Sequence, residues 1–423
     1  MTKLTKSVVF IVILLCSILH TRAQSLTNPN GVYTLENSQE KLTIASFGTQ
    51  KVLFFSDGSL FGLKTVGSKF AIGKTLGNTD ETIGTLNIQD IGDKTTISIK
   101  YNDGKIMLGE KVKLIEKRIE FQNNKLKLVG ELILPEGIGP FPVIVQTHGS
   151  GEETREASRG MAYLFASNGI ASFIFDKRGC GESSGTEWRA NFKDYANDLL
   201  AAVETVSKIQ GVDAEKIGLF GHSQGGWVVP LAYSLKPEKI SFCIISAANA
   251  VTPVEENLYA GNEELRIKGV DESSLKEVYE FRKIKYEVGI SGKGGKEYKN
   301  TILPEAEKKT WFKLTGGGLP DNIFWKENGF YDGTAALKVL KCPVLLLYAK
   351  YDISTDSKTN LPLMKKLIPS ENTTFKLFEN ANHAMMKVEN KDFISKQLPL
   401  ITQFADGYLD ELINWTRKVI LEI

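Results

Sequence analysis

From residue 31 to about residue 108 the chain alternates short apolar runs with polar turn signals: Asn28-Pro29-Asn30-Gly31, Asp57-Gly58, Gly77-Asn78, Gly92-Asp93 and Asn102-Asp103-Gly104. That punctuation predicts short antiparallel strands. The stretch Thr95 to Tyr101 shows the period of two most cleanly, with Ile97, Ile99 and Tyr101 on one face and Ser98 and Lys100 on the other. One face should meet a core and the other water. We therefore expect a small all-β unit, a sandwich or a barrel, over residues 24–115, and no chemical constellation falls inside it.

After a transitional stretch rich in Lys and Glu, the pattern changes near Phe121. Apolar runs at Leu126–Leu134, Pro142–Thr147, Ile170–Phe175, Ile217–Phe220, Ile240–Ser246 and Val344–Tyr348 alternate with helical stretches, and a last strand is expected at Thr374–Phe378. Continuous apolar strands separated by helices are the signature of a mostly parallel sheet covered on both faces. A second unit is thus predicted over residues 116–423. Phe192, Tyr195, Leu199, Val203 and Val206 recur at helical spacing, which predicts a helix from about Trp188 to Lys208 laid on the sheet. Between Ser246 and Val344 lies far more chain than one crossover helix requires. Leu275, Val278, Phe281 and Ile284 mark a helix there, and Gly292–Gly295 and Gly316–Gly318 mark breaks, so residues 250–335 read as a mostly helical lid.

Composition, 42% hydrophobic and 24% charged, fits a globular chain long enough for two cores. Charge alters the picture at one place. Lys3 and Lys6 precede an uncharged run from Ser7 to Leu19, and Thr21-Arg22-Ala23 sets small residues where a signal peptidase reads, so residues 1–23 are expected to be a cleaved signal peptide. An uncleaved anchor would need roughly 18 to 20 apolar residues, and a lipoprotein reading at Cys16 is opposed by Leu15 before it. The mature chain would start near Gln24, be secreted or periplasmic, and have no stable insertion in a membrane. Its formal charge falls from +2 to −1, because the leader carries three basic residues and no acidic ones. The apparent basicity is a targeting signal, and nothing suggests binding to nucleic acid. Cys180, Cys243 and Cys342 remain, too few for a disulfide framework, and the absence of CxxC or a His-rich cluster gives a metal no support.

The strongest local signal is Gly221-His222-Ser223-Gln224-Gly225, followed by Gly226, between an apolar strand and a helical stretch from Trp227 to Leu235. GxSxG in a strand-turn-helix context presents a serine on a strained turn above a helix amino terminus. A serine hydroxyl needs a base, and the chain offers only four histidines. His20 leaves with the leader, His222 adjoins the serine, and His148 precedes Gly149-Ser150-Gly151, where an oxyanion loop is expected. His383, in Asn380-Ala381-Asn382-His383 after the last strand, is therefore the expected base. Asp352, shortly after Val344–Tyr348, is the expected acid, with Asp356 as the alternative. Gln224 N–H and Ser150 N–H are the expected oxyanion donors, with Gly151 next after Ser150. Asp176-Lys177-Arg178-Gly179-Cys180-Gly181-Glu182-Ser183 lacks the spacing of a phosphate loop, and we expect Asp176 and Arg178 to pin loops there. Cys180 has no spare histidine to activate it as a second nucleophile.

Taken together, GHSQGG, HGSG, DKRGCGES, YAKYD and ANH make residues 121–423 resemble the α/β-hydrolase superfamily, in particular bacterial esterases and serine-aminopeptidase-like hydrolases with an added N-terminal β domain. The resemblance implies an α/β-hydrolase fold with a mostly parallel eight-stranded sheet, the triad Ser223, Asp352 and His383, and no cofactor. It implies a serine hydrolase acting on a small-molecule ester of small or medium acyl group through an acyl-enzyme. A prolyl or aminopeptidase-like enzyme, or a thioesterase, would use the same triad. Amine recognition would call for acids near the pocket, and Glu255-Glu256 or Glu263-Glu264 could supply them, although such pairs also occur on solvated helix faces. A non-catalytic surface-binding protein is the reading from another class, and the intact elbow opposes it.

Overall fold

The computed structural model describes residues 28–38, 40–48, 50–390 and 400–422. The expected leader, residues 1–23, lies outside them. Strands β1 (Gly31–Leu35), β2 (Lys41–Phe47), β3 (Gln50–Phe55), β4 (Leu60–Val66), β5 (Lys69–Gly73), β6 (Thr82–Ile91), β7 (Lys94–Tyr101) and β8 (Ile106–Lys111) pair in sequence order. Pairing of β1 with β8, Tyr33 opposite Lys111, closes them into a barrel. Of the two all-β shapes expected, the barrel is the one formed. The alternation in β7 works as anticipated: Ile97 and Ile99 are buried with Leu42, Leu53 and Leu86 in the barrel interior.

The second body is an eight-stranded sheet. Its strands are β9 (Ile115–Asn123), β10 (Leu126–Leu134), β11 (Phe141–Gln146), β12 (Ala171–Phe175), β13 (Val212–His222), β14 (Phe242–Ser246), β15 (Val344–Ala349) and β16 (Thr373–Phe378). Their spatial order is β16-β15-β14-β13-β11-β12-β10-β9, with β10 antiparallel to both of its neighbours, β9 and β12, and every other pairing parallel. The Lys- and Glu-rich transitional stretch is in fact edge strand β9, on which Phe121 is the one fully buried side chain. Charges along an exposed edge discourage pairing with another chain, which is why the segment does not read as a strand.

Residues of the parallel strands alternate between two cores. Val143 and Val145 face helices α2 (Phe192–Val206) and α3 (Gly225–Leu235), while Ile144 faces α1 (Arg159–Ala166) and the C-terminal residues. Helix α2 is shorter than expected. Glu187–Arg189 forms a separate 3₁₀ turn, and the helix starts only after Asn191, which makes a capping box with Asp194. The insertion folds as expected into helices, chiefly α4 (Pro253–Ile267) and α5 (Glu272–Ser291), the latter ended by Gly292 at φ 69°. Asp356 caps α6 (Ser357–Leu367). The chain ends in α7 (Tyr408–Glu422), whose Leu409, Leu412, Ile413 and Val419 are buried against the sheet.

The barrel seats on the α1 and α7 side. Val52, Phe54 and Leu60 of the barrel join the same core as Phe220, Phe404 and Tyr408, and Phe54 meets Phe404 edge-on at 5.5 Å. A strap, residues 400–405, stitches the two bodies together. Leu60 N–H donates to Thr402 O at 2.7 Å, Leu76 N–H to Ile401 O at 2.7 Å, and Phe404 N–H to Gly58 O at 2.9 Å.

Candidate active site

Three strand ends converge at the carboxyl edge of the sheet, the edge where open α/β sheets carry their ligand sites. Strand β13 delivers Ser223 on a turn with φ +54°, a left-handed conformation that a side-chain-bearing residue rarely adopts. Its N–H donates to Ser246 O at 2.9 Å, which ties the strained turn to the neighbouring strand. The flanking glycines are steric necessities: a Cβ on Gly221 would lie 2.5 Å from Gly225 O, and one on Gly226 would overlap Ala248.

The structure brings together the three side chains singled out in the sequence. His383 Nε2 is 2.9 Å from Ser223 Oγ, and its Nδ1 is 2.8 Å from Asp352 Oδ2. The other carboxylate oxygen of Asp352 accepts from Ser354 N–H at 2.7 Å and Thr355 N–H at 2.8 Å, which fixes its plane. Asp356 stays on the cap of α6, with its side chain on Lys358 N–H and Thr359. Tyr351 N–H donates to Ala381 O at 2.9 Å, so the loops that carry Asp352 and His383 brace each other. The strap adds a further brace, through Ala405 N–H to Met385 O at 2.8 Å and Lys387 N–H to Gln403 O at 2.9 Å.

Electrostatics separates the histidines. Burial works against a charged His383, but the Asp352 carboxylate, and after it Glu256, hold its pKa above the usual 6.5. His222 is pushed down to about 3 by burial and by His383 beside it, and its Nδ1 meets Ser246 Oγ at 3.2 Å. His148 is likewise pushed to about 3, by burial and then Lys177, and its Nε2 lies 2.5 Å from Phe175 O. Both stay neutral, so His383 is the imidazole suited to take up a proton near neutrality.

Ser150 lines the same cavity as Ser223 and His383, and Gln224 is buried at the amino terminus of α3. Among the described residues neither backbone N–H has a hydrogen-bond acceptor. The cavity holds about 930 Å³, and its wall includes Phe47 and Phe54 of the barrel and Glu256 of α4. These wall residues were not apparent as a set in the sequence, because three separate segments supply them. Of the two acidic pairs considered there, Glu255 closes the capping box of Thr252, Glu263 pairs with Arg266, and Glu256 and Glu264 reach the cavity. Burial, with Asp352 adding to it, raises the Glu256 pKa to about 7.

In the DKRGCGES turn, Asp176 accepts from Arg155 N–H at 2.8 Å and from its guanidinium at 2.6 Å, and Arg178 pairs with Asp198 at 2.6 Å. The loop-pinning role expected of both residues is the one they have. Burial raises the Cys180 thiol pKa, and Cys342 and Cys243 are free thiols, the first donating to the second at 3.8 Å. Among the described residues, no group of three or more His, Cys, Asp or Glu is set to hold a metal, and no helix is long and apolar enough to cross a membrane.

A family model described as "Serine aminopeptidase, S33" matches residues 139–267, the stretch from β11 through the elbow into α4. Together with the strand order above, that match gives the chain an α/β-hydrolase fold. The chain is 25% identical over 305 residues to the esterase EstD of Thermotoga maritima, a match that covers 69% of this chain and 66% of EstD. It is 24% identical over 284 residues to an uncharacterised 31.7 kDa protein of Escherichia coli, covering 65% of this chain and 94% of that one. Among solved structures, an esterase of Pyrococcus furiosus aligns with TM-score 0.45 and 14% identity, covering 73% of this chain and 92% of the other.

Proposed function

We propose that this hydrolase cleaves carboxylic esters of small or medium acyl groups through an acyl-enzyme on Ser223. The observation that carries the proposal is the unbroken chain from Ser223 Oγ to His383 Nε2 at 2.9 Å and from His383 Nδ1 to Asp352 at 2.8 Å. In the first step His383 takes the hydroxyl proton as Ser223 Oγ attacks the ester carbonyl, and Asp352 stabilises the imidazolium that forms. Gln224 N–H and Ser150 N–H receive the carbonyl oxygen as it becomes an oxyanion. His383 then protonates the departing alcohol. Water, activated by the same imidazole, releases the acid and restores the serine.

The likeness to EstD supports ester rather than amide chemistry. Glu256 in the cavity wall supports a second reading, a peptidase that holds a substrate amine, and a thioester would meet the same triad. The amino-terminal pattern of residues 1–23 supports a secreted or periplasmic site of action.

The test is a panel of p-nitrophenyl esters of graded chain length beside thioester and aminoacyl-amide substrates, with labelling by a fluorophosphonate. Short esters should turn over, Ser223 should be labelled, and Ser223→Ala should lose both. Turnover in the Ser223→Ala variant, or preference for amides over esters, sinks the ester reading.

A further inference from the structure

Lys177 follows β12, next to the pinned Asp176, and its side chain is only 1% exposed. Its ammonium lies within hydrogen-bond distance of four oxygens: Gly149 O at 2.9 Å, Gly151 O at 2.9 Å, Gln224 Oε1 at 3.0 Å and Glu187 Oε1 at 3.2 Å. The Tyr195 ring closes the remaining side at 4.8 Å. All four atoms are acceptors, so an ammonium directs all three of its N–H donors at them, one shared between two oxygens, whereas a neutral amine would set its lone pair against an acceptor. Burial lowers the Lys177 pKa, and the Glu187 carboxylate opposes that shift.

Two of the four oxygens belong to the loop 149–151, and the third to the residue after the nucleophile. Trans peptide planarity makes the Gly149 carbonyl and the Ser150 N–H two ends of one unit, pointing in opposite directions. A carbonyl held by Lys177 on the protein side therefore turns the Ser150 N–H away from Lys177, and Ser150, unlike Lys177, lines the cavity of Ser223. The adjacent N–H cannot compete for this role, because Gly149 N–H donates to Glu153 Oε2 at 2.8 Å. A Cβ on Gly149 would stand 3.0 Å from the Glu153 carboxylate, so a glycine lets that brace come close. Withdrawal of electron density at the carbonyl also makes the N–H of the same peptide a stronger donor.

We propose that Lys177 is a positioning residue that clamps both halves of the oxyanion hole, orienting and polarising the Ser150 N–H through Gly149 O and steadying Gln224 through its side-chain amide. The inference rests on the serine acyl-enzyme reading given above. Because the oxyanion exists only near the transition state, loss of the clamp should lower kcat and leave KM nearly unchanged.

Lys177→Met keeps the length and removes the charge and donors. Active sites are counted by a fluorophosphonate burst, so that misfolded protein does not enter kcat. Per-site kcat on a short p-nitrophenyl ester should fall about 10- to 100-fold, somewhat less than loss of a whole donor, with KM within about threefold. Affinity for a trifluoromethyl ketone, which forms a tetrahedral adduct, should weaken by the same factor. Unchanged per-site kcat and ketone affinity would overturn the proposal. Should Lys177→Met not fold, Gln224→Leu removes one of the four acceptors; its per-site kcat should fall about 3- to 10-fold, the worth of one hydrogen bond, and a wild-type value overturns the clamp. Absence of labelling at Ser223 in the wild type overturns the ester reading itself, and the clamp with it.

Discussion

Asp352→Asn is the most informative single change at this site, because the backbone around it dictates which way the amide must face. Oδ1 of Asp352 accepts two N–H groups, from Ser354 and Thr355, while Oδ2 faces His383 Nδ1. An asparagine that keeps its oxygen on the two N–H donors must point its NH₂ at His383. Nδ1 then has to accept, the imidazole proton moves to Nε2, and Nε2 can no longer take the Ser223 proton. The wrong-tautomer penalty in such triads is about 10⁴-fold in kcat. Turning the amide over restores the tautomer but sets two buried N–H groups against an NH₂, at about 1–3 kcal/mol each. Even the lower total, about 2 kcal/mol, keeps the turned-over form near 3% of molecules. The kcat of Asp352→Asn should therefore lie below about 3% of wild type, with Ser223 still present and the fold intact by circular dichroism. Asp356→Asn is the matched control, since it exchanges one good helix cap for another and should retain full turnover. An Asp352→Asn enzyme that keeps more than a tenth of wild-type kcat would refute the reasoning.

Three further outcomes follow from the groups around His383 and the cavity wall. His383 must be neutral to act as base, and its pKa is held above 6.5, so the acid limb of kcat/KM should lie above pH 6.5. Glu256→Gln removes one of the charges that raise it and should move that limb to lower pH; a pH–rate profile with the limb unmoved or shifted upward counts against this electrostatic account. Phe54→Ala removes a buried barrel ring from the cavity wall and from its contact with Phe404, at about 3–5 kcal/mol of stability. It should lower the thermal midpoint and shift the ester chain-length optimum towards longer acyl groups. An unaltered chain-length profile would show that the barrel does not shape the pocket.

What could be read from the sequence was local or patterned. Strands buried on both faces, such as β11 and β15, announce themselves as apolar runs, and the elbow does so by glycines that its geometry requires. The scarcity of histidines directs attention to His383, the histidine the structure sets against Ser223. Elements whose signal depends on distant partners were harder. Strand β9 carries charge because it is an edge, and the start of α2 was set by the Asn191 cap rather than by the apolar stripe. The spacing of Leu409, Leu412, Ile413 and Val419 in α7 is helical, but the sheet they pack against is built from distant strands. Closure of the β-unit into a barrel depends on the pairing of its first and last strands, which strand spacing does not encode. Lys177 and Glu256 look like ordinary polar residues until the fold surrounds one with oxygens and turns the other towards His383.

The strap at residues 400–405 bears on how the chain must fold. Gly58, Leu60 and Leu76 of the barrel find their backbone partners near the opposite end of the sequence. A chain emerging from the ribosome can close the eight barrel strands early, since every one of their pairings is formed within residues 31–111. The rim that faces the hydrolase body stays unsealed until the C-terminal segment arrives. The same segment braces the His383 loop, so final docking of the barrel and ordering of His383 belong to one late, long-range step. A chain cut between Lys111 and Ile115 would thus not yield two working halves: the barrel would lose its seal, and the imidazole would lose a brace.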